Sequence, residues 1–314
     1  MKAAIIGFGN IAQEHAKGYA VANGASLVAV ADASPDRLTL LRDSGVRTFS
    51  VVSTMLAEIN PDVVSICTPP STHAALAELA LGHGAHVFCE KPLAHNTTDA
   101  RRMIEAAASA NRLLGVAFCH RFIPAIRRLK DLIETGAIGT PLLYRNQFSG
   151  PFEGVEKTWF SNPELSGGGT LMDTTVHSID LFRYLVGEPE SVRGLASTTR
   201  SGLQVEDTSV VLLRSGKCLG TLEASWTVAP GTLLIEVRGK AGEIVYDYEI
   251  LRWRGSEGGA WTNENVEAGI DGRFQAEIQH FVDAIHGKVQ LELRAIEGLR
   301  ASEILEQAYA DLRR

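Results

Sequence analysis

The sequence is short of the residues and runs that would commit it to several large classes of protein. Only four of its 314 residues are cysteine: Cys67, Cys89, Cys119 and Cys218. Each lies in or beside an apolar, strand-like run and none has metal-site spacing, so they read as small buried hydrophobes in a reducing compartment. His15, His83, His86, His95, His280 and His286 form no metal constellation either, and no metal is expected. No basic run is longer than Arg127-Arg128 and the net charge is −7, which offers nucleic acid or an anionic membrane little to hold. No apolar stretch approaches membrane length, and the first strand-like run begins at Lys2, leaving no room for a signal peptide. The expected location is cytoplasmic. Low-complexity segments, repeats and Gly-, Ser- or Pro-rich linkers are also lacking, and the length suits two domains with cores of their own.

What is present changes character near the middle. Up to about residue 120 short apolar runs such as Val63–Ile66 and His86–Cys89 alternate with helical patterns at 72–81 and 97–110. That alternation predicts a doubly wound parallel sheet with crossover helices. An amphipathic helix is expected over 123–135, ending at Gly136. Beyond residue 140 the period falls to two. In 220–228, Leu222, Ala224, Trp226 and Val228 fall on one side and Thr221, Glu223, Ser225 and Thr227 on the other. Similar runs at 142–148, 191–199, 208–213, 233–237 and 243–248 predict a large, mainly antiparallel sheet in an α+β domain. The division expected is 1–120 and 121–314.

Three stretches carry candidate chemistry. Gly7-Phe8-Gly9-Asn10-Ile11-Ala12 follows an apolar run and opens a helix, the Gly-x-Gly-x-x-Ala form of the dinucleotide fingerprint. Gly7 permits the tight turn, Gly9 the approach of a pyrophosphate to the helix N-terminus, and Ala12 close helix–strand packing. Asp32 ends the second strand about 20 residues on, where a ribose-binding acid belongs; it also suits a cap for the helix expected after Ser34-Pro35. An acid there favours NAD, while Ser34 and Arg37 keep NADP open as a phosphate host. Cys67-Thr68-Pro69-Pro70-Ser71-Thr72-His73 and Glu90-Lys91-Pro92-Leu93 both close apolar strands, at the ends where such sheets bind ligands. Lysine directly after a buried strand is a functional candidate; its plain alternative is an exposed ion pair with Glu90. Third, Gly167-Gly168-Gly169 precedes a helical run carrying Asp173 and His177 four residues apart, a carboxylate and an imidazole on one face.

In order and spacing these segments resemble the glucose–fructose oxidoreductase/inositol dehydrogenase (Gfo/Idh/MocA) oxidoreductases. The resemblance also runs through His120-Arg121-Phe122, Gly136-Ala137-Ile138-Gly139, Asp180, Glu206-Asp207-Thr208 and the late helix around Phe281. It implies a Rossmann domain followed by an α+β domain with an open-faced sheet, covered by a second subunit in a homodimer or homotetramer. It further implies hydride transfer between NAD, or NADP, and a hydroxyl-bearing carbon of a sugar, cyclitol or related polyol. Cofactor contacts are implied at Gly7, Phe8, Gly9, Asn10, Ile11, Asp32, Thr68, Pro69, His73, Glu90 and Lys91. His177 then serves as general base, Lys91 beside the reacting oxygen, and Asp173 on a substrate hydroxyl and on His177. Arg121 and Trp159 are expected to contact substrate, with packing as the alternative for both. His120 is expected near the nicotinamide or as a satisfied buried histidine. Thr175 stands where the family usually has Gly, so its hydroxyl is expected to narrow the site or touch substrate. The same scaffold admits an NAD-dependent glycosidase and a non-catalytic, nucleotide-sensing regulator; neither Lys91, Asp173 nor His177 is needed by the latter.

Overall fold

A computed structural model describes residues 1–255, 259–267 and 269–312. The chain falls into two compact units, Met1–Cys119 with Gly272–Ser302, and His120–Asp271 with Glu303–Arg314. The return of residues 272–302 to the first unit differs from the simple division 1–120 and 121–314. The cause is the helix Arg273–Ile285, whose Phe274, Ile278, Phe281 and Val282 are buried. Phe281 stacks on Phe88 at 4.8 Å between ring centroids. A Cβ at Gly18 would lie 2.9 Å from Ile278 Cγ1, so that glycine lets the two helices close up.

The first unit holds β1 (Lys2–Ile6), β2 (Ser26–Ala31), β3 (Arg47–Phe49), β4 (Val63–Ile66), β5 (His86–Glu90) and β6 (Leu114–Ala117). They pair in parallel in the order β3-β2-β1-β4-β5-β6. Central strands β1, β4 and β5 are almost wholly buried, as sheets covered on both faces require. Helices His73–Gly82 and Thr97–Ala110 occupy the expected crossovers. The second starts where it does because the Asn96 carboxamide accepts the Asp99 N–H at 2.9 Å. The direction in which successive strands are added reverses between β1 and β4, and the ligand-binding crevice of a doubly wound sheet lies beyond the carboxyl ends of such a pair.

The second unit is built on β7 (Pro141–Ser149), β8 (Ser191–Ser197), β9 (Thr208–Ser215), β10 (Cys218–Ser225), β11 (Thr232–Gly239), β12 (Gly242–Tyr246), β13 (Leu251–Gly255) and β14 (Thr262–Asn263). Their order is β14-β13-β12-β11-β7-β10-β9-β8, antiparallel except for the β10/β7 pair. One face packs on helix Val176–Leu185. Phe182 meets Tyr144 edge-on at 5.2 Å, and a Cβ at Gly220 would come within 2.6 Å of the Phe182 ring. The other face leaves Leu143, Leu195, Leu212 and Leu219 exposed, Leu195 by 73%. Leu222, Ala224 and Trp226 turn inward as the alternation requires, but Val228 is exposed. The strand has ended by then: the Ser225 hydroxyl accepts the N–H groups of Thr227 and Val228, each at 3.1 Å, and leads the chain out of the ladder.

Candidate active site

In the first unit the fingerprint loop is shaped by what it cannot hold. Gly7 has φ +82°, and a Cβ there would strike Thr68 Cγ2 at 2.6 Å. Gly9 is the N-cap of helix Asn10–Val21 without a side-chain cap, and a Cβ on it would meet nothing within 4 Å. The backbone beside Gly9 is thus open to close approach, and no side chain caps the helix start, where a pyrophosphate is accepted in such folds. Asp32 organises the neighbouring edge. Its Oδ2 accepts the Phe8 N–H at 2.6 Å, its Oδ1 the Ser34 N–H at 2.7 Å, and Arg37 Nη1 stands 3.4 Å away. Two carboxylate oxygens offer about four acceptor positions, and with three of them taken one is left for a ribose hydroxyl.

At the ends of β4 and β5, His73 is fully buried and ties the two loops together. Its Nε2 lies 2.8 Å from the Thr68 carbonyl, and its Nδ1 3.0 Å from the Pro92 carbonyl. Burial holds this imidazole below its ordinary pKa, against the pull of those carbonyls. Glu90 also turns inward. It is 6% exposed, with one oxygen 2.9 Å from His15 Nε2 and the other accepting the Lys91 N–H at 3.1 Å. Glu90 and Lys91 are thus joined through the main chain. His15 and Glu277 escaped the sequence reading. Both are completely buried, and their ligating atoms and that of Glu90 lie within 4.8 Å of one another. The signal was faint: His15 sits on the stripe Ala12, His15, Gly18, Tyr19 that faces inward.

In the second unit the glycine loop leads into a π-helical turn, Leu171–Thr175, and only then into helix Val176–Leu185. Asp173 lies in the π turn and His177 in the first α turn. Single π turns occur disproportionately at functional sites. The turn is pinned by Glu206. Its Oε1 accepts the N–H groups of Gly169 and Leu171 at 3.0 Å each and the Tyr309 hydroxyl at 2.7 Å. Burial, with the Glu206 charge beside it, raises the Tyr309 phenol well above its usual pKa, so it remains a donor. A Cβ at Gly169 would fall 1.8 Å from the Glu206 carbonyl oxygen. Asp207 next door holds the 199–200 loop. Burial favours its neutral form, but the N–H groups of Thr199 and Arg200 and two threonine hydroxyls outweigh that and lower its pKa.

His177 is 9% exposed, and its ring lies 4.7 Å from that of His120, which in turn meets the Tyr248 hydroxyl at 3.0 Å through Nδ1. Tyr248 holds φ +67°, a backbone conformation tyrosine seldom adopts, and no sequence signal announced it. Asp173 and Thr174 line a cavity of about 650 Å³ whose aromatic walls are Phe148, Phe152, Trp226 and Tyr248. Arg121 is buried, gripping Asp180 through Nε at 2.8 Å and Nη2 at 2.5 Å and lying over the Tyr184 ring. Trp159 stacks on Phe160 at 3.9 Å, at the margin of the Val155, Val205, Trp226 cluster. Thr175 departs from expectation. It is 1% exposed, and its hydroxyl pairs with Ser209 at 3.1 Å, directed into the protein.

Comparison with known proteins gives a consistent result. Residues 1–118 match the family described as an oxidoreductase family with an NAD-binding Rossmann fold, and residues 126–245 match the GFO/IDH/MocA C-terminal domain. The chain is 32% identical over 260 residues to a myo-inositol 2-dehydrogenase of Thermotoga maritima, covering 79% of this chain and 75% of that one. It is 34% identical over 196 residues to a D-glucoside 3-dehydrogenase of Escherichia coli, covering 60% and 55%. Among solved structures, a levoglucosan dehydrogenase in complex with NADH superposes with a TM-score of 0.90 at 25% identity, over 100% of this chain and 97% of that one.

Proposed function

This chain belongs to the Gfo/Idh/MocA family of NAD-dependent oxidoreductases, and on that premise we propose that it oxidises a secondary hydroxyl of a neutral sugar, cyclitol or related polyol. The observation that carries the substrate class is the 650 Å³ cavity of the second unit. It is of the size that takes a small ligand, apolar on its aromatic walls and lined with hydroxyl and carboxylate groups at Thr174, Ser225, Asp173 and Asp247. Aromatic faces suit the C–H faces of a sugar ring, and the polar groups suit its hydroxyls.

The chemistry supplied by bound NAD is hydride acceptance. The N-terminal N–H groups of helix Asn10–Val21 would hold its pyrophosphate, with Gly7, Phe8, Gly9, Asn10 and Ile11 forming the loop. Asp32 would accept a ribose hydroxyl, and its charge would disfavour a 2′-phosphate. Thr68, Pro69 and Lys91 border the crevice at the ends of β4 and β5, and His73 keeps their loops in register. His177 would take the hydroxyl proton of the carbinol, and the Lys91 ammonium would stabilise the charge building on that oxygen. Asp173 grips a neighbouring hydroxyl. Arg121 supports the His177 helix through Asp180, and Trp159 offers an aromatic rim to the substrate.

The test is to mix protein, NAD and a panel of polyols and follow reduced nicotinamide by absorbance. Accumulation with at least one neutral polyol is expected. Cleavage of an aryl glycoside without accumulation would replace this reading with the glycosidase, and nucleotide binding without either reaction would favour the regulator. We further propose that a second copy covers the exposed sheet face around Leu143, Leu195, Leu212 and Leu219, since apolar patches of that kind seldom stay bare. Light scattering at micromolar concentration should find a dimer or tetramer; a 33.9 kDa particle throughout would refute it. Among the described residues no helix is long and apolar enough to cross a membrane. The four free thiols are at home in the reducing cytoplasm, where we place the protein; recovery in the periplasmic fraction would refute this.

A further inference from the structure

Glu90 is an expensive residue to place where it lies. A carboxylate taken out of water costs several kcal/mol unless its partners replace hydration, and a neutral side chain of similar size would pack there at less cost. The surroundings are dry: Phe88 lies beside His15 at 5.7 Å between ring centroids, Phe281 stacks on Phe88, and Glu277 is fully buried. Yet both oxygens of Glu90 are engaged in a specific way. One meets His15 Nε2 at 2.9 Å, and the other accepts the main-chain N–H of Lys91 at 3.1 Å. His15 projects from helix Asn10–Val21, the same helix whose N-terminus follows the glycine loop.

We propose that Glu90 is a positioning residue for Lys91: anchored by His15, its carboxylate fixes the peptide from which the Lys91 side chain departs. Lys91 is thereby held on both sides of its Cα. Its N–H is held by Glu90, and on the carboxyl side the Pro92 ring restricts the backbone. A lysine has four side-chain torsions, so an error in its base is magnified at Nζ. Displacements on the order of 1 Å at a reacting group cost roughly 10²-fold in rate. This inference rests on the reading of Lys91 as the group beside the reacting oxygen. It gives Glu90 an indirect role in place of the direct cofactor contact implied by family resemblance.

The experiment is a double-mutant cycle on the full chain, with kcat, KM for the polyol, NAD affinity and melting temperature measured for each protein. Glu90→Ala should lower kcat by roughly 10- to 100-fold and move KM and NAD affinity by less than about threefold. In a Lys91→Ala background the same change should cost less than about twofold, because the side chain it orients is gone. Glu90→Gln keeps a carbonyl oxygen for the Lys91 N–H and should recover most of the turnover. Glu90→Asp keeps the charge but shortens the reach, should behave like Ala, and runs the same cycle if the Ala protein does not fold. Normal turnover in Lys91→Ala overturns the reading of Lys91 and this proposal with it. A large loss in Lys91→Ala, joined to an undiminished Glu90→Ala cost in that background, overturns the positioning role alone. So does a Glu90→Gln protein as impaired as Glu90→Ala.

Discussion

Glu277→Gln should gain stability relative to the wild type as the pH rises. Glu277 is fully buried on helix Arg273–Ile285, and neither of its oxygens has a hydrogen-bond partner among the described residues. Burial first, and the charge of Glu90 second, push its carboxyl well above the usual range, while Arg273 pulls the other way. The groups facing it come from several elements: His15 and Tyr19 from helix Asn10–Val21, Glu90 from β5, Cys67 after β4, and Cys119. In the unfolded chain a glutamate releases its proton near pH 4.3, whereas the native protein keeps it. From that pH up to the raised native value the unfolded state therefore binds fewer protons, and stability falls as the pH rises. The slope approaches on the order of 1 kcal/mol per pH unit for one group. Glutamine has the shape of the protonated side chain and does not titrate, so its stability lacks this slope. Any fixed cost of burying the amide cancels when one pH is compared with another. Denaturant midpoints of both proteins, measured from about pH 5 to about pH 7, should diverge by on the order of 2 kcal/mol. A difference that stays constant, or one in which the Gln protein loses ground with rising pH, would mean that Glu277 is ionised in the native state and the reasoning is wrong.

Lys91→Ala and His177→Ala should each lower turnover by about 10²–10⁴-fold with NAD affinity and melting temperature nearly unchanged, and the double change should cost less than the sum of the singles; steady-state kinetics beside NAD titration decides it, and near-normal turnover in either removes that residue from the mechanism. Gly169→Ala places a Cβ 1.8 Å from the Glu206 carbonyl oxygen, so the π turn must shift; thermal melting should show a loss of about 2 kcal/mol or more together with lost turnover, and an unaltered protein would disprove the close approach. Arg121→Met leaves Asp180 buried beside an apolar chain and should cost about 3–5 kcal/mol, much of it recovered by adding Asp180→Leu; wild-type stability in the single variant, with polyol affinity lost, would instead return Arg121 to direct substrate contact.

Much of the architecture was legible because local physics announces it. Apolar runs closed by Gly7, Thr68-Pro69 and Glu90-Lys91-Pro92 are the ends of parallel strands, and the Asn96 cap and the Ala-rich face behind it delimit a helix with little help from elsewhere. The period-two runs after residue 140 became strands close to the expected bounds because a one-sided sheet imposes alternation on every strand. The glycine fingerprint with Asp32 was equally readable, since a tight turn and an open helix terminus are properties of a few adjacent residues.

What tertiary structure alone decided depends on partners far apart in the chain. Helix Arg273–Ile285 belongs to the first unit because Gly18 and Phe88 offer it a fitted surface, and no pattern within residues 273–285 names that surface. The π turn at Leu171–Thr175 exists because Glu206 and Tyr309 hold it, and neither partner is near it in the chain. Arg121 and Thr175 meet Asp180 and Ser209, partners 59 and 34 residues away that no local pattern names. Glu90, His15 and Glu277 are separated by 75 and 187 residues and meet only in the folded core. The sequence determined which segments become strands, helices and turns, because those choices are made by near neighbours. Which polar groups are buried together, and what proton or contact they then hold, was decided by packing, because desolvation is a property of the assembled interior.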